Sequence, residues 1–258
     1  TVAPTTDGLV AWYPFNGNAN DESGQGHEGA VTGPVLTTDR FEAANSAFEF
    51  DGIDRGSNSD RIVLPDPTDF ALNTFTVSVW FKWESEHPTD MYRLILDKSS
   101  DPSLFNQNYM FYVSDDGHAV HAAIGGGAPS IGHYFFTEVK VDDGKWHHAA
   151  LTFDISSGLG RFYVDGGLEA EQTGITQIAT NNSAPLTLGK WGSTGYGQWD
   201  GGIDDLYVYD RPLSAMEISG LYNGTGPLQQ LKFTPLADQH GSAVITVTVE
   251  DGGLDNNL

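Results

Sequence analysis

The sequence predicts an all-β chain, a two-sheet antiparallel β-sandwich with one short C-terminal helix and an extra β tail. Three observations predict it. Short segments rich in β-branched and aromatic residues recur between Gly, Asn and Asp clusters, the pattern of strands punctuated by turns. Phe75, Val77, Val79, Phe81 and Trp83 alternate with Thr76, Ser78, Trp80 and Lys82, so this strand has two distinguishable faces. The strands are also too many for one flat sheet with a wet face, and two packed sheets are the economical solution.

In chain order, the strand segments are Leu9–Tyr13, the alternating run Phe75–Trp83, Tyr109–Val113, Ala119–Ile124, His147–Phe153, Arg161–Val164, Leu186–Leu188 and Ile203–Tyr209. Asp165-Gly166-Gly167 supplies the tight-turn chemistry of a hairpin. The helix is read from PLSAMEISGLYNG: Ser214 caps it, Glu217 completes a capping box, and Asn223-Gly224 ends it. Met216, Ile218 and Leu221 are expected to dock it on the sandwich. Beyond Gly226, LQQLKFTPL and SAVITVTVEDGG read as two further strands. About 30 residues cannot form a stable core alone, so these strands are expected to pair with the sandwich, another chain or a further domain.

Composition narrows the function classes. The 258 residues carry 35 Asp and Glu against 12 Lys and Arg, a formal net charge of −23. Nucleic acid and anionic membrane surfaces are poor partners for such a chain, because both demand clustered cations. There is no Cys, which removes disulfides, thiolate metal sites and a Cys nucleophile. No stretch approaches the ~18 consecutive apolar residues of a membrane span. TVAPTTDG at the start lacks signal-peptide character, so export would rest on a signal elsewhere or already removed.

Seven motifs occur in order: Leu9 to Gly29 (LVAWYPFNGNANDESGQGHEG), AFEFDG from Ala47, FTVSVWFK from Phe75, KWHHAALTFD from Lys145, FYVDG from Phe162, LTLGK from Leu186, and Gly201 to Gly224 (GGIDDLYVYDRPLSAMEISGLYNG). This set resembles the bacterial laminin-G-like, concanavalin-A-like jelly-roll lectin family. The resemblance implies one such domain over residues 8–226. The tail, residues 227–258, resembles the last strands of the immunoglobulin-like or cadherin-like repeats of large surface adhesins, which implies neighbouring repeat domains in the same chain and a secreted or cell-surface location.

The FNGNANDESGQGH loop gathers Asn18, Asp21 and several glycines, including Gly26 before His27, an oxygen-rich inventory suited to Ca²⁺. In the resembled family this loop lies beside the Asp that opens the last long strand, here Asp204. Strand phase places Asp204 with Leu206 and Val208, pointing between the sheets, where a buried carboxylate needs a cation or several donors. The expected calcium ligands are therefore Asp21 and Asp204, supported by Asn18 and the carbonyls of Gly26 and His27. The alternative is an Asx-rich turn satisfied by its own amides. A second acidic stretch, Asp51 to Asp60, reads as a solvated loop.

No catalytic residues are expected. EFDGID (Glu49 to Asp54) approaches the E-x-D-x-x-E strand motif of glucanases in the same fold, but its last acid is Asp54 and Gly52-Ile53 interrupts the strand. His147 and His148 are adjacent on a strand and point to opposite faces, so they cannot chelate one metal together. Sugar sites combine flat aromatic rings with a few polar groups. Two loops and one segment have that mixture: Lys98, Asn106 and Asn108; Trp191, Tyr196 and Trp199; and His133 with Tyr134. Trp199 is alternatively a plug that closes the end of the sandwich. The function expected is a calcium-dependent extracellular lectin module binding a glycan or cell-surface polysaccharide, of an adhesin. The alternatives are a protein-binding or structural spacer, or an accessory module of a polysaccharide-degrading enzyme.

Overall fold

The computed structural model describes residues 4–84, 92–99, 107–114, 118–125, 132–180, 183–191 and 197–225. Among these, the strands in chain order are β1 (Leu9–Tyr13), β2 (Ala30–Thr32), β3 (Val35–Thr37), β4 (Ala47–Asp51), β5 (Arg61–Leu64), β6 (Thr74–Trp83), β7 (Tyr92–Ser99), β8 (Gln107–Ser114), β9 (Val120–Gly125), β10 (Gly132–Phe135), β11 (Trp146–Asp154), β12 (Leu159–Val164), β13 (Gly167–Gln172), β14 (Leu186–Leu188) and β15 (Asp200–Tyr209), followed by the helix α1 (Ala215–Tyr222). The strands expected after Gly226 lie outside the described residues.

All pairings are antiparallel and make two sheets. The first runs β13-β12-β11-β6-β15-β4-β3, with β1 also on β15, and the second runs β10-β9-β8-β7-β14-β5-β2. β15 has β6 along one side. Along the other it meets first β4 (Ile203 opposite Phe48) and then β1 (Leu206 opposite Tyr13). The alternation of β6 works as the sequence predicts: Phe75, Val77, Val79 and Phe81 are fully buried between the sheets. They meet Ile95, Phe111, Ile124 and Leu188 of the second sheet in one apolar core, and Phe111 and Phe162 pack edge to face across the two layers at 5.4 Å.

The opposite face of β6 is also dry. Thr76 and Ser78 are fully buried, and Trp80 stacks on Tyr222 of α1 at 5.6 Å. Thr76 accepts the Leu213 N–H at 2.8 Å and donates to the Arg211 carbonyl, fixing the lead-in to the helix. Ser214 and Glu217 form the expected reciprocal capping box. The docking face of α1 differs from the expected one. Ile218 and Leu221, three residues apart, pack with Leu213 onto Tyr163, Tyr207 and Tyr209, while Met216 is 48% exposed. Residue 216 lies two positions, about 200° around the helix, from 218, so it faces water. At the β12–β13 hairpin, Asp165 (φ 48°) and Gly166 (φ 77°) both adopt the left-handed conformation, as a two-residue turn matched to strand twist requires.

Candidate functional site

The Asx-rich loop after β1 closes on itself. Asp21 Oδ1 accepts the N–H groups of Trp12 (3.0 Å) and Ser23 (2.9 Å), and Oδ2 accepts the Ser23 hydroxyl (2.8 Å) and the His27 N–H (3.1 Å). Burial opposes ionisation of this carboxyl, but the Trp12, Ser23 and His27 donors outweigh it and hold its pKa below the usual range. Asn18 Oδ1 accepts from Asn20 N in an Asx turn. The His27 carbonyl accepts the Tyr13 hydroxyl at 2.5 Å, and the His27 ring meets Asp66 at 3.0 Å. Gly26, at φ 86°, supplies the sharp bend.

Asp204 lies elsewhere than expected. Asp205 adopts φ 43° and forms a β-bulge: β15 advances from Asp204 to Tyr207 while β6 advances only from Trp80 to Ser78. One extra residue reverses the side-chain phase. Ile203 and Leu206 therefore both enter the core, and Asp204 turns with its partner Trp80 to the helix-covered face. There Arg40, from the β3–β4 connection, reaches Asp204 Oδ2 at 2.8 Å and Asp205 Oδ2 at 2.6 Å, its guanidinium 4.4 Å above the Trp80 ring. Burial first, and then Asp205, push Asp204 up to about 8 against the pull of Arg40. The set Asn18, Asp21, Gly26, His27 and Asp204 does not fit a calcium ion as it stands, because amide and hydroxyl donors saturate Asp21 and a guanidinium serves Asp204. Among the described residues, no three His, Asp or Glu side chains gather in a metal-holding group. The Asp51–Asp60 stretch is likewise closed by its own groups: Asp51 pairs with Arg55, and Asp54 accepts from Gly56 N.

The sugar-site residues separate. Lys98 and Asn108 are fully buried. Lys98 Nζ donates to the Ala184 carbonyl at 2.6 Å and is pulled down to about 8 by burial, while Asn108 Nδ2 donates to the Leu72 carbonyl. Trp199 is fully buried in the core, edge-on to Phe81 at 5.8 Å, so it plugs the sandwich. His133 pairs with the core residue Ile124 and so lies on the core side of β10, where burial lowers its pKa. Asn106 and Tyr196 lie outside the described residues.

Tyr134 and Trp191 do come together. Both pack on a small outer cluster of Leu94, Met110, Tyr112 and Ala123, on the face of the second sheet turned away from the core. Around them runs a chain of rings that the sequence reading missed. Tyr92 meets Tyr112 at 5.3 Å, Tyr112 meets His121 at 5.3 Å, His121 meets Phe136 at 5.3 Å, and Phe136 stacks on Tyr134 at 5.6 Å and 8°. Each step crosses to a neighbouring strand or stays on β10 and its continuation. Phe136 is 64% and Tyr92 42% exposed. The Tyr134 ring lies over Gly132, where an added Cβ would stand 3.0 Å from it. The Thr137 N–H donates to His121 Nδ1 (3.1 Å), leaving Nε2 as the protonated nitrogen facing Ser114 Oγ at 3.0 Å. Tyr112 and His121 are buried within the chain of rings, so the faces open to a ligand are those of Tyr92 and Phe136 with part of Tyr134 and Trp191, bordered by polar groups, the mixture a sugar's C–H faces require.

Residues 55–219 match the model of the family described as the concanavalin A-like lectin/glucanases superfamily, of laminin-G type. The chain belongs to the concanavalin A-like lectin/glucanases superfamily. A search of curated proteins finds no match. Among solved structures, domain 4 of an extracellular GH43 arabinanase from Geobacillus stearothermophilus, determined with arabinotriose, has a TM-score of 0.60 at 22% identity, covering 86% of this chain and 100% of that one. The binding domain of Paraclostridial mosquitocidal protein 1 gives 0.67 at 15%, covering 85% and 53%. That of botulinum neurotoxin DC, determined with rat synaptotagmin II, gives 0.63 at 16%, covering 85% and 52%. The chain thus spans about half the length of these toxin domains. At such identities the likeness is one of fold.

A superfamily that spans lectins and glucanases gives the remaining carboxylates interest. Glu49, opposite Gly202 on the outer side of β4, is pushed up to about 7 by burial first, then by Glu84 and Asp200. Its hydrogen-bond partner is the Glu84 side chain, itself ion-paired with Lys82. Asp51 is held by Arg55 and Asp54 by its own loop, so the glucanase-like spacing is not built into one cluster. His147 and His148 point to opposite faces as expected, opposite Phe81 and Trp80 respectively. Between Asp165 (2.8 Å) and Asp143 (3.1 Å), His147 is raised, because these two partners outweigh the lowering by burial. Full burial lowers His148 to about 3.

Proposed function

We propose that this chain is an extracellular carbohydrate-binding module that holds glycan on the ring chain of β7–β10. The observation that carries the reading is the run of five aromatic and imidazole rings across four adjacent strands, of which Tyr92 and Phe136 are exposed, Tyr134 is half-buried, and Tyr112 and His121 are buried. Phe136 and Tyr92 offer the exposed ring faces on which a sugar can stack. Superfamily membership and the arabinotriose bound to the arabinanase domain support it. No catalytic step is assigned to the module.

The parent protein is proposed to be a secreted or surface-displayed adhesin in which residues 8–226 form the lectin domain and residues 227–258 open onto neighbouring repeats. The second reading, an accessory module that tethers a polysaccharide-degrading enzyme, is favoured by the match to the arabinanase domain over its whole length. Either way the same face does the binding. A glycan array with the full chain tests it: the Phe136→Ala and Trp191→Ala variants should lose signal while keeping the wild-type melting temperature. Unchanged binding in both would sink the assignment to this face.

A further inference from the structure

We propose that the outer face of the first sheet carries a second glycan site, built on Trp146 and Gly202, which makes the module bivalent; the bivalency rests on the glycan-binding reading above, and the site itself on separate residues. Strand register sets one row of residues across five neighbouring strands: Val35 on β3, Glu49 on β4, Gly202 on β15, Lys82 on β6 and Trp146 on β11. Phe48, Ile203 and Phe81, each one residue along from this row, lie in the core, so the row points outward. The helix α1 rests farther along the same face, on Tyr163, Tyr207 and Tyr209.

Gly202 leaves a notch that the Trp146 indole fills: a Cβ on Gly202 would stand 2.6 Å from Cη2 and 3.0 Å from Cζ2 of that ring. The indole therefore reaches across β6 and rests on β15, one strand spacing of about 4.8 Å from β4. The residue is half-buried. Among the described residues nothing accepts its Nε1–H, and that atom is not closed off from solvent. Polar groups stand beside the ring. Glu49, also half-buried, hydrogen-bonds the Glu84 side chain, which is ion-paired with Lys82. The Lys82 and Glu84 side chains remain 30% and 41% exposed, so ammonium N–H groups and carboxylate lone pairs are left over for a ligand.

An indole with a free N–H, next to a carboxyl pair and an ammonium, matches a single sugar unit: its C–H bonds meet the ring and its hydroxyls meet the polar groups. Lys82 and Glu84 balance each other's charge, so the sugar unit need carry none. The ring chain of β7–β10 and this site lie on opposite outer faces, on sheets about 10 Å apart. One linear glycan cannot lie on both. Each site takes its own chain, and the module bridges two.

The test counts ligands bound per full chain by equilibrium dialysis with arabino-, xylo-, cello-, manno- and galactotriose. A glycan array cannot count them, because losing either site lowers avidity there. At least one triose should bind twice per wild-type chain, and once in Phe136→Ala, Trp146→Ala and Gly202→Ala. Gly202 does not adopt the left-handed conformation, so Gly202→Ala displaces the indole without straining the backbone. Glu84→Gln, at an exposed side chain that leaves the core untouched, should weaken one of the two sites about tenfold. Leu168→Ala, at a 51% exposed position on β13, should leave both unchanged. One ligand per chain that Phe136→Ala abolishes and Trp146→Ala spares overturns the second site and leaves the first reading standing. One ligand that Trp146→Ala abolishes and Phe136→Ala spares overturns the first reading and the bivalency. Binding of none of the five trioses overturns both.

Discussion

The His148 imidazole hydrogen-bonds Ser78 at 2.7 Å in full burial, while the adjacent His147 sits between two aspartates. Their contributions to stability have opposite signs. His148, lowered to about 3 from 6.5, contributes stability that is present above pH 6.5 and is lost as the pH falls, because the unfolded chain takes up a proton that the native state refuses. His147 is raised, so its contribution is complete below pH 6.5 and is lost as the pH rises through its folded value. Glu49, raised from 4.5 to about 7, favours the folded state as pH falls through that interval and offsets part of the His148 loss. In thermal melts across pH, His148→Gln should flatten the acid-side decline and His147→Gln the alkaline-side one; a variant profile parallel to the wild type would exclude that residue as the cause. Arg40 gives a second prediction at this scale. Arg40→Met leaves Asp204 and Asp205 buried side by side without a cation and should cost about 3–5 kcal/mol, read from urea denaturation.

The strands differ in how plainly their residues announce them. β1 can be read with its bounds and β6 with its two faces, because side-chain alternation there matches the side on which each residue packs, and β14 is read from its short apolar run although all three of its residues are buried. β7 escapes such a reading because a bulge sends Ile95 and Leu96 both into the core, erasing the period of two. β13 is a polar edge, GLEAEQ, with Leu168 exposed, and it carries no apolar signal. In β15 one bulge at Asp205 reverses the side chain on which the calcium expectation depended. The ring chain was half legible. Tyr134 and Trp191 stand out as aromatics beside glycines, whereas Tyr92, Tyr112, His121 and Phe136 become neighbours only through the strand order β7-β8-β9-β10, which alternation does not supply. The Asx loop carries the prediction at this scale. With Asp21 saturated by protein donors, calcium and chelator should give the same melting midpoint; a rise of several degrees with calcium would show that the loop opens to take the ion.

Across the whole molecule, 35 carboxylates against 12 Lys and Arg make self-repulsion a standing cost of compaction. Added sodium chloride should raise the melting midpoint at fixed pH by screening it; a fall would mean that the ion pairs contribute more than the repulsion removes. The pairing of β1 with β15 has a further consequence. Asp210 N donates to the Gly8 carbonyl at 2.8 Å, and Leu9 lies opposite Tyr209, so the first strand finds its neighbour only once some 200 residues have followed it. Closing so long a loop precedes any reward from the contacts it makes. On the ribosome, β1 and β4 must therefore wait with open edges for β15, the last of the described strands to be made. A nascent chain stalled before Asp200 would expose three unpaired edges, those of β1, β4 and β6, to whatever strand arrives first.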